Sequence, residues 1–117
     1  MAINLAAYSG TLAVSTTETS LVTGATKAAS GVSTLGLYEL SLDLSAMVAG
    51  DQILLKVYEA ILSAGTQRVI FQQQFNNIQN NPAYFTQPII LGNSWDMTLT
   101  LVSATGRSVP YAIRSVT

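Results

Sequence analysis

The chain predicts an all-β fold, an antiparallel β-sandwich or small barrel of about six to eight strands. Three observations carry that expectation. Apolar and polar residues alternate with period two from Gly36 onward, and turn signals separate the alternating runs. The best helical window, Leu44–Ala49, is too short to matter. A chain of 117 residues falls within the single-domain range. A domain of that size buries roughly two-thirds of the surface its unfolded chain exposes.

In Leu37–Leu44, residues Tyr38, Leu40, Leu42 and Leu44 share one face while Glu39, Ser41 and Asp43 occupy the other, as in a half-buried strand. Gly50-Asp51 signals a turn. In the next strand, Gln52–Leu62, residues Ile53, Leu55, Val57 and Ile61 alternate with Leu54, Lys56, Tyr58 and Ala60. Both faces are fairly apolar, as in a central strand covered on its second face too. Ser63-Ala64-Gly65-Thr66 makes a hairpin connection to a returning strand, Gln67–Phe75. There Val69, Phe71 and Phe75 are expected inward, and Arg68, Gln72 and Gln74 outward.

After a turn-rich loop over Asn76–Pro82 comes a strand over Tyr84–Ile90, whose Pro88 argues for an edge or a bulge. Trp95, Met97, Leu99 and Leu101 form the next inward face, and Ser103-Ala104-Thr105-Gly106 turns the chain again. Val109, Tyr111 and Ile113 form the last inward face, ending near Val116. Residues 1–35 are dominated by Ala, Ser, Thr and Gly, with few large apolar anchors. Short strands around Thr11–Ser15 and Ser20–Thr23 are expected there. The rest reads either as an extended arm ordered by a neighbour or as an edge strand with loops. The chain thus divides into an N-terminal arm, 1–35, and a sandwich domain, 36–117.

Charged residues make up only 9% of the chain, against about 25% in an ordinary soluble domain. Hydrophobic residues make up 49%, yet no run reaches the roughly 18 uncharged apolar residues of a spanning helix. The first residues lack the basic and apolar regions of a signal peptide, so the chain is expected to act where it is made. Lys27, Lys56, Arg68, Arg107 and Arg114 are scattered and form no phosphate-binding patch, which argues against nucleic acid as a partner.

The chain contains no histidine and no cysteine, so the residues most used for proton transfer near neutral pH, soft-metal binding and thiol attack are missing. Its carboxylates are Glu18, Glu39, Asp43, Asp51, Glu59 and Asp96. Glu39 and Asp43 share a strand face about 13 Å apart, too far to cooperate within the strand. Asp51 follows Gly50 without the further acids of a calcium loop. The sequence therefore points away from an enzyme, a metal site or a cofactor. A carbohydrate-binding module would need exposed aromatic platforms. The candidates are Trp95, Tyr58, Tyr84 and Tyr111, of which Trp95 and Tyr111 fall in inward register. Gln72-Gln73-Gln74, Asn76-Asn77 and Asn80-Asn81 supply neutral amides, which are cheaper to bury at an interface than charges. Lone sandwiches usually guard their edges with charge; these strands do not.

Leu40-Ser41-Leu42-Asp43-Leu44, Ala49-Gly50-Asp51, Val57-Tyr58-Glu59 with Gly65-Thr66-Gln67-Arg68-Val69, and Leu99-Thr100-Leu101 with Ala104-Thr105-Gly106-Arg107 resemble small structural proteins of tailed phages. The resemblance spans Gly36–Ile113, about two-thirds of the chain. It implies a jelly-roll or sandwich fold and a capsid cement, or decoration, role. The implied partners are the major capsid protein and further copies of the chain, often as trimers at three-fold positions, and the implied location is the virion surface. Expected capsid contacts are Ile3, Leu5 and Tyr8, and expected subunit contacts are Tyr58, Gln72 and Gln74. A tail, neck or fibre component and a carbohydrate-binding sandwich are the rival readings.

Overall fold

The computed structural model describes residues 2–103 and 106–116, and all its regular elements are strands. They are β1 (Ile3–Val14), β2 (Thr19–Ser20), β3 (Gly36–Asp43), β4 (Gln52–Ala60), β5 (Gln67–Asn76), β6 (Ala83–Phe85), β7 (Ile89–Leu91), β8 (Asp96–Ser103) and β9 (Arg107–Val116). One sheet has the order β1-β9-β3-β6, with β7 also paired to β3; the other has the order β2-β8-β4-β5. All ladders are antiparallel. Ala104 and Thr105 of the expected Ser103–Gly106 turn lie outside the described residues.

With β6 and β7 counted as one interrupted strand, the pairing is nested. β1 meets β9, β2 meets β8, β3 meets β6 and β7, and β4 meets β5. The chain is thus one long hairpin turning between β4 and β5, then rolled so that β9 reaches β3 and β8 reaches β4. That is the jelly-roll topology. Rolling brings two apolar faces together. Leu12, Val14, Tyr38, Leu40, Leu42, Val109 and Ile113 come from the first sheet; Ile53, Leu55, Val57, Phe75, Met97, Leu99 and Leu101 come from the second. Trp95, just before β8, is fully buried among them.

Departures from the expected elements have local causes. β1 covers twelve residues rather than a short strand near Thr11, because its Ala, Ser and Gly positions still pair with β9. The expected Tyr84–Ile90 strand is broken between β6 and β7, around Pro88, which has no N–H to give. Thr86 bridges the gap: its N–H donates to Leu40 O (2.9 Å), and its Oγ1 accepts from the Leu40 N–H (2.9 Å). Val69 points outward, not inward. Val57 opposes Phe71 while Tyr58 opposes Val69, so Ile70 is an extra residue and the bulge reverses the facing beyond it. β4 stops at Ala60, leaving Ile61 in the turn with its side chain exposed.

The connection between β2 and β3 returns to the sandwich at Val32. Its N–H donates to Trp95 O (2.8 Å), and the Trp95 N–H donates to Val32 O (2.7 Å). The preceding residue must be glycine. A Cβ on Gly31 would stand 2.0 Å from Trp95 O and 2.7 Å from its carbonyl carbon, both backbone atoms that cannot step aside. Gly31→Ala is therefore expected to strip this connection from β8 and lower the melting temperature by several degrees. Amide exchange at Val32 should become fast in the variant; unchanged protection there would refute the clash.

Candidate interaction surface

On the outer face of the first sheet, four strands contribute one residue each to a single row. Ile3 opposes Val116, Val116 opposes Leu37, and Leu37 opposes Ile90. Opposed residues share a face, so β1, β9, β3 and β7 present a continuous aliphatic stripe. It lies in solvent: Ile3 is 72% exposed and Ile90 71%. Leu5, Pro88 and Arg114 join Ile3, Leu37 and Val116 around a groove of about 210 Å³.

The adjacent row is ionic. Glu39 opposes Arg114, and their side chains pair at 3.1 Å while both remain partly exposed. The Arg114 guanidinium also lies over the Phe85 ring, 4.6 Å from its centre, and Phe85 is itself exposed. Exposed ion pairs of this kind contribute about 0–1 kcal/mol to stability and serve better to orient a partner. Beyond them Ser41, Asp43, Ala83, Phe85, Pro110 and Ala112 line a depression of about 600 Å³.

The outer face of the second sheet is covered near Tyr58 by the chain's own residues 18–28. Glu18 Oε2 accepts hydrogen bonds from Tyr58 Oη (2.5 Å) and Thr98 Oγ1 (2.7 Å). Ser20 Oγ donates to Asp96 Oδ1 (2.7 Å). Lys27 Nζ stands 4.3 Å from the centre of the Tyr58 ring and donates to Gln67 Oε1 (2.7 Å). Burial, then the Glu18 carboxylate, pushes the Tyr58 phenol far above its ordinary range. Burial also raises Asp96, against the opposing hydrogen bonds from Ser20 and the Met97 N–H.

Of the residues singled out in the sequence, Ile3 and Leu5 belong to the aliphatic stripe and its groove. Tyr8 does not. A bulge between Asn4 and Tyr8 sets it opposite Ile113, and its ring packs edge-on against Trp95 with centres 5.9 Å apart. Tyr58 is the covered residue described above. Gln72 and Gln74 are exposed on β5, opposite Lys56 and Leu54 of β4. Leu37, Ile90, Val116 and Phe85 were not singled out. The available signal was Leu37, an apolar residue in the polar register of Glu39 and Ser41.

Trp95 is wholly buried, and Tyr84 and Tyr111 are partly buried and packed against the core. Fold and surface together define an all-β jelly roll with an uncharged apolar stripe across one outer face. Comparison with protein-family models, curated proteins and solved structures finds no match to any of them.

Proposed function

We propose that the chain is a non-enzymatic structural subunit of a virion shell, a decoration subunit that fastens neighbouring capsomers together. One observation carries this reading: the Ile3–Val116–Leu37–Ile90 stripe, aliphatic on all four strands and open to water. Apolar patches that cross strands in this way mark surfaces that meet protein. The low charge of the chain and its resemblance to phage structural proteins support a shell as the place where that meeting occurs. Withdrawing one aliphatic side chain fully from water is worth about 1.5–3 kcal/mol. Ordering costs take back part of that, so one copy holds weakly. Many copies bridging adjacent capsomers act together, and the shell then resists separation through avidity.

The test is co-sedimentation with shells of the encoding virus prepared without this chain. The wild-type protein should sediment with the shells to saturation. Leu37→Glu combined with Ile90→Glu, which places two carboxylates on the stripe without touching the core, should remain in the supernatant. A wild-type chain that ignores shells, or a double variant that binds as well, overturns the reading. Binding to purified tails instead of shells would relocate the subunit to the tail.

A further inference from the structure

The two sheets have four edges, and three are blunted. β2 has two residues; β6 and β7 are interrupted around Pro88; β5 carries Arg68 and the Ile70 bulge. β1 is different. It is a sheet edge of twelve residues with no charged residue and no proline, and among the described residues no strand lies beyond it. Its ladder with β9 is unbroken from Tyr8 to Val14. Apart from the bulge between Asn4 and Tyr8 nothing blunts this edge, and natural sheets seldom leave a stretch like Tyr8–Val14 unguarded.

The direction of its free backbone groups follows from the ladders. Leu40 exchanges its N–H and C=O with Thr86, on the β6 side of β3. Groups on a strand alternate sides, so Ser41 directs its own toward β9, where it opposes Ala112. Ala112 and Pro110 therefore direct their backbone groups toward β3, and Tyr111 and Val109 toward β1. Ser9 opposes Ala112, Thr11 opposes Pro110 and Ala13 opposes Ser108. Ser9, Thr11 and Ala13 are thus left with N–H and C=O directed away from β9, at the open edge, and all three residues are exposed.

We propose that this edge pairs with β1 of a second copy of the chain, antiparallel, about a two-fold axis through Thr11. In such a pair opposed residues share a face, so their numbers share parity and the axis must pass through a residue. Thr11 is the midpoint of the unbroken stretch. With the axis there, Thr11 exchanges both backbone groups with its own copy, Ser9 with Ala13, and Ala13 with Ser9. The free backbone groups of Ser9, Thr11 and Ala13 then all have partners. The side chains on that face are small, and Gly10 meets Leu12 on the other. A charge at or beside the axis would stand close to its like on the other copy; β1 has none. The axis stands perpendicular to the sheet, so both outer faces look the same way. The pairing does not depend on the shell reading. If that reading holds, one dimer offers two aliphatic stripes to one surface.

The absence of cysteine makes an introduced thiol a unique reporter. Ser9→Cys, Thr11→Cys and Ala13→Cys are made singly and oxidised mildly. Wild-type mass is read by light scattering, along with that of Thr11→Pro, which removes an N–H that the β9 ladder does not use. The expected results are a wild-type mass twice that of the 12.4 kDa chain, preferential Thr11→Cys cross-linking, and a folded, monomeric Thr11→Pro. A monomeric wild-type chain overturns the proposal, as does a trimer or larger assembly in which none of the three thiols cross-links. Should Thr11→Pro fail to fold, the wild-type mass and the thiol pattern decide alone.

Discussion

Trp95→Ala is expected to cost about 3–5 kcal/mol, the range for emptying an aromatic site in a packed core. The indole is fully buried, with the Tyr38 ring centre at 4.4 Å and the Tyr8 ring centre at 5.9 Å. The backbone of Trp95 is itself bridged to Val32, which holds the emptied position in place. Domains of this size hold only about 5–15 kcal/mol in total, so much of the stability would go. Urea unfolding should show a lower midpoint with an unchanged slope. Trp95→Phe should cost much less. Phenylalanine refills much of the site, and it also removes the buried indole N–H, which has no hydrogen bond of ordinary geometry. If both substitutions cost the same, ring volume at this site is not what holds the core.

Asp51→Asn should lower the melting temperature at neutral pH and lose that deficit in acid. The Asp51 side chain is inaccessible to water, and Oδ2 accepts from Arg107 Nε (2.7 Å) and the Val48 N–H (2.9 Å). Oδ1 accepts from Arg107 Nη2 (3.3 Å). The hydrogen bond from Arg107, then that from Val48, holds the carboxyl below its ordinary value. A carboxyl with a lowered folded-state pKa contributes stability that is present above the unfolded value, about 3.9, and is lost as pH falls through the folded one. Thermal melts from about pH 7 to about pH 2 should therefore show the wild-type and variant curves converging at the acid end. Asp43, whose carboxyl is also lowered by hydrogen bonds from Ser45, is present in both proteins and cancels in the comparison. A gap that stays constant across the range would mean that the ionised form of Asp51 is not what matters.

The inward faces of β3 and β8 were legible because their alternation runs unbroken, and Trp95 was legible as a core residue for the same reason. β1 was read too short. Its backbone pairs with β9 whatever its side chains weigh, and small residues leave little mark on hydropathy. Val69 was misread because a bulge in the partner ladder is invisible to a period-two count. The outward apolar face of β4 was read as needing cover. At Tyr58 the cover is the chain's own segment around Glu18 and Lys27, forty residues from it in one hydrogen bond. The aliphatic stripe was half legible, through Ile3. Its other members come from segments near residues 37, 90 and 116, which only strand pairing brings into line.

Because Ile3 faces Val116, the two ends of the described chain leave the sandwich side by side. Tension applied at both ends would peel β1 from β9 one residue pair at a time, like a zipper opened from its tab, and never load the ladder all at once. Tension that enters through the flat outer face is spread over four strands together. A molecule with this topology is weak as a tether and strong as a rivet.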